Sequence, residues 1–224
     1  MPTRLNKFIA TNTGLSRRKV DDAITKGLVT VNGEVAKLGQ TINDVDDIKL
    51  DGAIVSPQQK KTIILNKPVG YVCSRQGQGS KTIYDLLPQE LHNLKPVGRL
   101  DKDSSGLLLL TSDGDLANQL SHPRYSKTKV YLIELDKPLQ ALNQQMISDI
   151  GVSLEDGVSK LSLERVNHQR TRWKVTMSEG RNRQIRRTFN ALGYTVKDLY
   201  RTNFGSYSLG SVKPGSYQSV TTEV

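Results

Sequence analysis

The chain opens on a helical rhythm. Leu5, Phe8 and Ile9 recur at the spacing of one helix face, and Thr13-Gly14 breaks the pattern. Ser16 offers an N-cap to a second helix with Val20, Ala23 and Ile24 on one side, ending at Gly27. The rhythm then turns to alternation. Residues 28–31 and 34–37 flank Asn32-Gly33, the pair that suits a type I′ hairpin turn. A third short strand is expected at 48–50. Two helices and a small sheet thus fill residues 1–52, a marginal core for an independent unit.

Residues 53–61 read as a linker. From Thr62 the pattern is that of a larger domain, 62–224. Residues 63–65 and 71–73 are strand-like and flank Pro68 and Gly70. The run 107–111 is apolar throughout, consistent with a buried strand. A short helix is expected at 115–121 and a strand at 130–133. The spacing predicts a helix over 138–150 with Leu139, Leu142 and Met146 inward. Paired strands follow at 160–166 and 172–177. A helix over 181–192 closes at Gly193, with strands at 195–201 and 205–209. The expected class is α+β: a small αα-plus-sheet module, then a mixed α+β domain.

Charge narrows the partner. Lys and Arg number 32 against 22 Asp and Glu, a net +10 over 224 residues. That balance favours a polyanion, nucleic acid first and anionic membrane second. No apolar run approaches the ~20 residues of a spanning helix. The first residues lead into no apolar signal core, so a cytoplasmic protein is expected. Cys73 is the only cysteine, which excludes an internal disulfide and a cysteine zinc site. His92, His122 and His168 lack metal-motif spacing, so no metal is expected. Four segments carry cations and no acid: 1–20, 52–84, 116–133 and 180–197. Any one of them fits a solvated face. Four together favour a shared binding surface, provided folding gathers them.

Three constellations could carry chemistry. Gly98-Arg99-Leu100-Asp101-Lys102-Asp103-Ser104-Ser105-Gly106 brackets two carboxylates just before the apolar strand. It fits an Asx-turn loop, or a reactive carboxylate held by a rigid strand. A glycosidase pair fits poorly, because residues two apart on an extended segment point opposite ways. Glu179-Gly180-Arg181-Asn182-Arg183-Gln184-Ile185-Arg186-Arg187 is the second. With Ile185, Phe189 and Leu192 as the apolar stripe, Arg183 and Arg187 face outward and Arg186 lies at the flank. Arg186 could reach a buried carboxylate while the others meet phosphates. The third ends in Lys129-Val130-Tyr131, where Tyr131 packs in the core or stacks on a base. Gly77-Gln78-Gly79-Ser80-Lys81 lacks the ending of a phosphate loop and reads as a mobile basic loop.

These motifs carry a resemblance. Gly98-Arg99-Leu100-Asp101 with the leucine run and Asp113-Gly114 resembles the active-site motif of the small-ribosomal-subunit type of RNA pseudouridine synthases. Asn66-Lys67-Pro68-Val69-Gly70-Tyr71, Lys129-Val130-Tyr131 and Gly180 to Arg187 resemble the family's other three motifs, in order. Arg4 to Phe8, Ser16-Arg17-Arg18 and Val31-Asn32-Gly33 resemble the S4 RNA-binding domain. Thr188 departs from the larger apolar residue often found there, which touches packing alone.

The resemblance implies a mixed, mainly antiparallel sheet with flanking helices. It implies conversion of uridine to pseudouridine in ribosomal RNA without metal or organic cofactor, with the large-subunit RNA favoured over the small. Asp101 is then the essential carboxylate, Tyr131 the residue that stacks on the uracil, and Arg186 the partner of the aspartate. Arg99 would fill the space left by the base or hold its phosphate. Arg4, Lys7, Arg17, Arg18, Lys19, Lys67, Lys129, Arg181, Arg183 and Arg187 would meet the RNA backbone. The partner is ribosomal RNA or a ribosome-assembly intermediate, the protein a monomer, and membrane binding has no support. The competing reading is a non-catalytic RNA-binding or assembly factor, against which intact Asp101, Tyr131 and Arg186 argue.

Overall fold

Positive backbone angles punctuate the N-terminal module. The first helix, α1 (Leu5–Thr13), stops where Gly14 takes φ 74°. Ser16 then accepts the Lys19 N–H and starts α2 (Arg17–Thr25). Strands β1 (Val29–Val31) and β2 (Glu34–Val35) are joined by Asn32 and Gly33 at φ 53° and 87°, both positive as a type I′ turn demands. β3 (Ile48–Leu50) pairs with β1, and β4 (Ala53–Ile54) pairs with β3. Val55 is buried with Leu5, Ile9, Val20 and Ile24 in the module's core. The module therefore runs past its expected end at 52. The apolar triplet Ala53-Ile54-Val55 adds a strand and a core residue where a linker was expected.

The computed structural model describes residues 2–220. Its larger domain is built on β5 (Thr62–Lys67), β6 (Ser105–Thr111), β7 (Lys129–Leu135), β8 (Ser162–Arg165), β9 (Arg172–Met177), β10 (Val196–Phe204) and β11 (Tyr217–Ser219). These lie side by side in the order β8-β9-β7-β10-β6-β5-β11. Every neighbouring pair is antiparallel except β10 and β6, which are parallel. Helices α3 (Gly114–Ser121), α4 (Ala141–Gln145) and α5 (Gln184–Asn190) flank the sheet. The leucine run of β6 is explained by its place. Leu108 and Leu110 face the core that holds Trp173 and Phe189, while Leu107 and Leu109 face a second core with Phe204 and Leu120. A strand covered on both faces has no polar side to alternate.

Three expected elements differ. Residues 71–73 form no strand beyond a single bridge, Val72 to Thr82, because Cys73 is engaged with the 98–106 loop. The 138–150 helix begins only at Ala141 and widens into a π turn over Met146–Ile150. Leu139 is buried ahead of the helix. Met146 packs partly buried against the core as expected and Ile147 is buried beside it, but Leu142, in the first turn of the helix, is 70% exposed. The arginine-rich helix covers Gln184–Asn190 alone, so Arg181, Asn182 and Arg183 precede it.

The two modules touch. Lys7 Nζ lies 2.6 Å from an Asp115 carboxylate oxygen, Lys95 Nζ donates to the Leu15 carbonyl, and the Gln58 N–H donates to Asn12. Among the described residues no helix is long and apolar enough to cross a membrane.

Candidate active site

The turn before β6 is tied from several sides. Gly98 sits at φ 68°, a conformation that favours glycine. The Leu100 side chain is buried, and its backbone exchanges bonds with Cys73: the thiol donates to the carbonyl and accepts the N–H. The Gly70 N–H donates to Lys102, and the Ser104 N–H to Asp101. Lys67 lies fully buried beneath, its Nζ donating to the carbonyls of Ser104 at 2.6 Å and Pro68 at 2.9 Å. Burial pushes this ammonium below the usual lysine range. Lys67 thus pins the loop from inside, where an exposed, RNA-facing lysine was expected.

Gly106 fixes the loop against the neighbouring strand. Ser105 and Gly106 run parallel to Tyr200 and Arg201 of β10. A Cβ at Gly106, which has φ 101°, would come within 2.3 Å of the Arg201 carbonyl oxygen. Only glycine permits that approach, and it brings the Asp101 turn to the mouth of a cavity.

The cavity holds about 600 Å³ and is lined by Arg99, Asp101, Lys129, Tyr131, Arg181 and Arg183. Leu199, Arg201 and Phe204 of β10 complete the wall. Tyr131 stands in mid-sheet, opposite Val175 on one side and Arg201 on the other, and is 8% exposed. Arg99 is exposed on the rim. Three of the four sequence motifs therefore meet at the cavity, and the fourth, through Lys67 and Gly70, holds the Asp101 turn.

The arginines distribute differently from expectation. Arg183 adopts the left-handed conformation, φ 47° and ψ 30°, just ahead of α5. That turns it toward the 98–106 loop. Its Nη1 and Nη2 grip Asp103 at 2.9 and 2.8 Å, and Nη1 also reaches Asp101 Oδ2 at 3.4 Å. This fork holds the Asp103 carboxyl below the usual carboxylate range. Arg186, expected to pair with Asp101, instead donates to the carbonyls of Asp103 and Val196, with Nε 3.3 Å from Asp103 Oδ2. Arg181 and Arg187 both bind Asp156, beside the hairpin strand Gly157–Ser159. Arg187 first, then Arg181, holds that carboxyl low. Because the helix starts at Gln184, Arg181 and Arg183 lie in the turn before it, and there, like Arg187 on the helix, they meet acids.

In the small module Arg4, Arg17, Arg18 and Lys19 are exposed, and Lys7 is taken up by Asp115. Sequence reasoning missed Arg201, Phe204 and Leu199. The signal was present: in the strand expected at 195–201, Arg201 shares the parity of Leu199, a charge on a core-facing position.

A carboxylate and a tyrosine in a cavity with a basic rim fit a class, an enzyme acting on a nucleic-acid base. The comparisons specify it. A family model described as RNA pseudouridylate synthase matches residues 61–191, and one described as S4 domain matches residues 3–57. A Bacillus subtilis protein named ribosomal large subunit pseudouridine synthase B is 36% identical, covering 97% of this chain and 92% of its own. A Yersinia pestis protein named ribosomal small subunit pseudouridine synthase A is also 36% identical, covering 98% and 95%. A solved structure described as pseudouridylate synthase superposes with a TM-score of 0.69 at 33% identity, covering 97% of this chain and 96% of that one. The chain belongs to the RNA pseudouridylate synthase family and carries an S4 domain.

Proposed function

We propose that this chain isomerises uridine to pseudouridine in ribosomal RNA, with Asp101 as the reacting carboxylate. The carrying observation is the 98–106 turn, which presents Asp101 to a cavity walled by Tyr131 and rimmed by Arg99, Lys129, Arg181 and Arg183. Relatives named for the large and the small ribosomal subunit match equally well. Large-subunit RNA is the favoured target and small-subunit RNA the second. A monomer is the expected state and the cytoplasm the expected compartment.

The chemistry follows from the geometry. The target base must leave its stack, at a cost of a few kcal/mol. Stacking on the Tyr131 ring returns about 1–3 kcal/mol. The N1–C1′ bond breaks, the base turns, and C5 bonds to C1′. The proton from C5 leaves and N1 gains one, so the reaction is balanced without a cofactor. Asp101 attacks the base, attacks C1′, or acts as the base of an elimination. Arg183, 3.4 Å away, orients its carboxylate in each route. The 3.4 Å contact supports Arg183 in the orienting role for which Arg186 was expected.

Asp101→Asn tests the assignment on unmodified rRNA transcripts mapped for pseudouridine. Product should vanish while RNA affinity stays. Full turnover by Asp101→Ala overturns the role of Asp101. Mapping both rRNAs from a strain without the protein should show one or a few missing pseudouridines. None missing favours an assembly factor.

A further inference from the structure

Arg201 is a charge that the proposed reaction leaves unused. Its side chain is 2% exposed in β10. Nε donates to the Leu107 carbonyl at 2.8 Å, and buried Nη2 has no hydrogen-bond partner among the described residues. Among the described residues no carboxylate pairs with it. Arginine cannot shed its proton, so a sheltered guanidinium without an anion is costly.

A second cation shares the place. The Arg201 guanidinium lies 5.0 Å from the Phe204 ring centroid, and Lys129 Nζ lies 5.4 Å from the same centroid. Among the described residues Lys129 donates to the carbonyls of Lys127, Ser178 and Glu179, at 3.3 to 3.5 Å. Burial and the neighbouring Arg201 push its ammonium below the usual lysine range, and the Glu179 carboxylate opposes them too weakly to cancel the shift. A β-bulge causes the meeting. Lys129 pairs with Phe204 and Tyr131 with Arg201, so an extra residue on β10 brings Arg201 and Phe204 to one side.

Two like charges over one ring, both on the cavity wall, call for an anion. The geometry points to a phosphate site: Lys129 and Arg201 together bind one backbone phosphate, attached to the ribose of the uridine held over Tyr131. This rests on the reading of the cavity as the uridine site. Lys129 lies two residues along β7 from Tyr131, about 7 Å at the rise of a strand. A ribose spans that gap, with the base at one end and the phosphate at the other. The arginine supplies a fork and the lysine a point charge.

The test is the salt dependence of equilibrium binding to unmodified rRNA transcripts. The double variant Lys129→Met/Arg201→Gln should lower the slope of log K against log salt by one phosphate, about 0.7–0.9. A drop of twice that means two separate phosphates and overturns the shared site. An unchanged slope means that the cations meet a neutral group such as a uracil carbonyl, and overturns it as well. Lys129→Met alone, at a half-buried position, should weaken binding about tenfold at low salt, as loss of a charge-assisted bond does. Unchanged affinity there overturns the proposal even where Arg201→Gln does not fold. The slope is read without turnover, so its failure is separate from a failure of the Asp101 assignment.

Discussion

Arg17, Arg18 and Lys19 open α2, and Arg181, Arg183, Arg186 and Arg187 surround the start of α5. Both runs are acid-free in sequence. Their surroundings differ. The first three side chains are exposed, and none forms an ion pair among the described residues; Arg17 donates only to Asn6. The four arginines of the second run are all engaged, with Asp101, Asp103 and Asp156 from distant segments. Free cations attract RNA at long range, whereas tied cations shape the rim of a cavity. A basic run thus becomes a footprint or a scaffold according to the acids that folding brings beside it.

The largest test of this contrast is Arg183→Ala. It frees the Asp101 carboxylate and leaves Asp103 to Arg186 alone, so the pseudouridine-forming rate at saturating RNA should fall on the order of 100-fold, as small misplacements of reacting groups do. RNA affinity should change little. Loss of affinity with an unchanged rate would place Arg183 with the free cations.

The converse is Arg17→Ala/Arg18→Ala/Lys19→Ala. Affinity should fall on the order of tenfold, and the salt slope by about 0.7–0.9 for each phosphate that these side chains neutralise. The rate at saturating RNA should stay. A flat salt response would make the α2 face merely solvated.

What the sequence revealed, and what it hid, follows the same line. Local signals were legible: Ser16 capped α2, Asn32-Gly33 made its turn, and the leucine run was a buried strand. The convergence of Asp101 and Tyr131 came from the family motifs, since nothing local in β7 aims Tyr131 at the 98–106 turn. The arginine partners were illegible. They depend on Arg183 taking a left-handed conformation and on Asp156 arriving beside a separate hairpin, both tertiary outcomes. Lys67 misled because a lysine in a basic run is usually solvated. Here a strand buried on all six positions carries it inside, where two carbonyls hold it.

The smallest expected effect concerns Lys7, which crosses the division. It sits in the small module, yet its ammonium is bound by Asp115 at the N-terminus of α3. Both side chains are about half exposed, at 41% and 60%, so the pair contributes at most about 1 kcal/mol. Asp115→Asn should shift thermal stability barely, because solvent already screens the pair. Its informative readout is RNA binding. Once freed, Lys7 should behave like Arg18, and the variant should bind RNA slightly more tightly with a steeper salt slope. Lys7→Ala in the unaltered chain should lower the slope less than Arg18→Ala does. Equal losses would show that RNA takes Lys7 from Asp115, and that a single exposed carboxylate is too weak to remove a cation from the footprint.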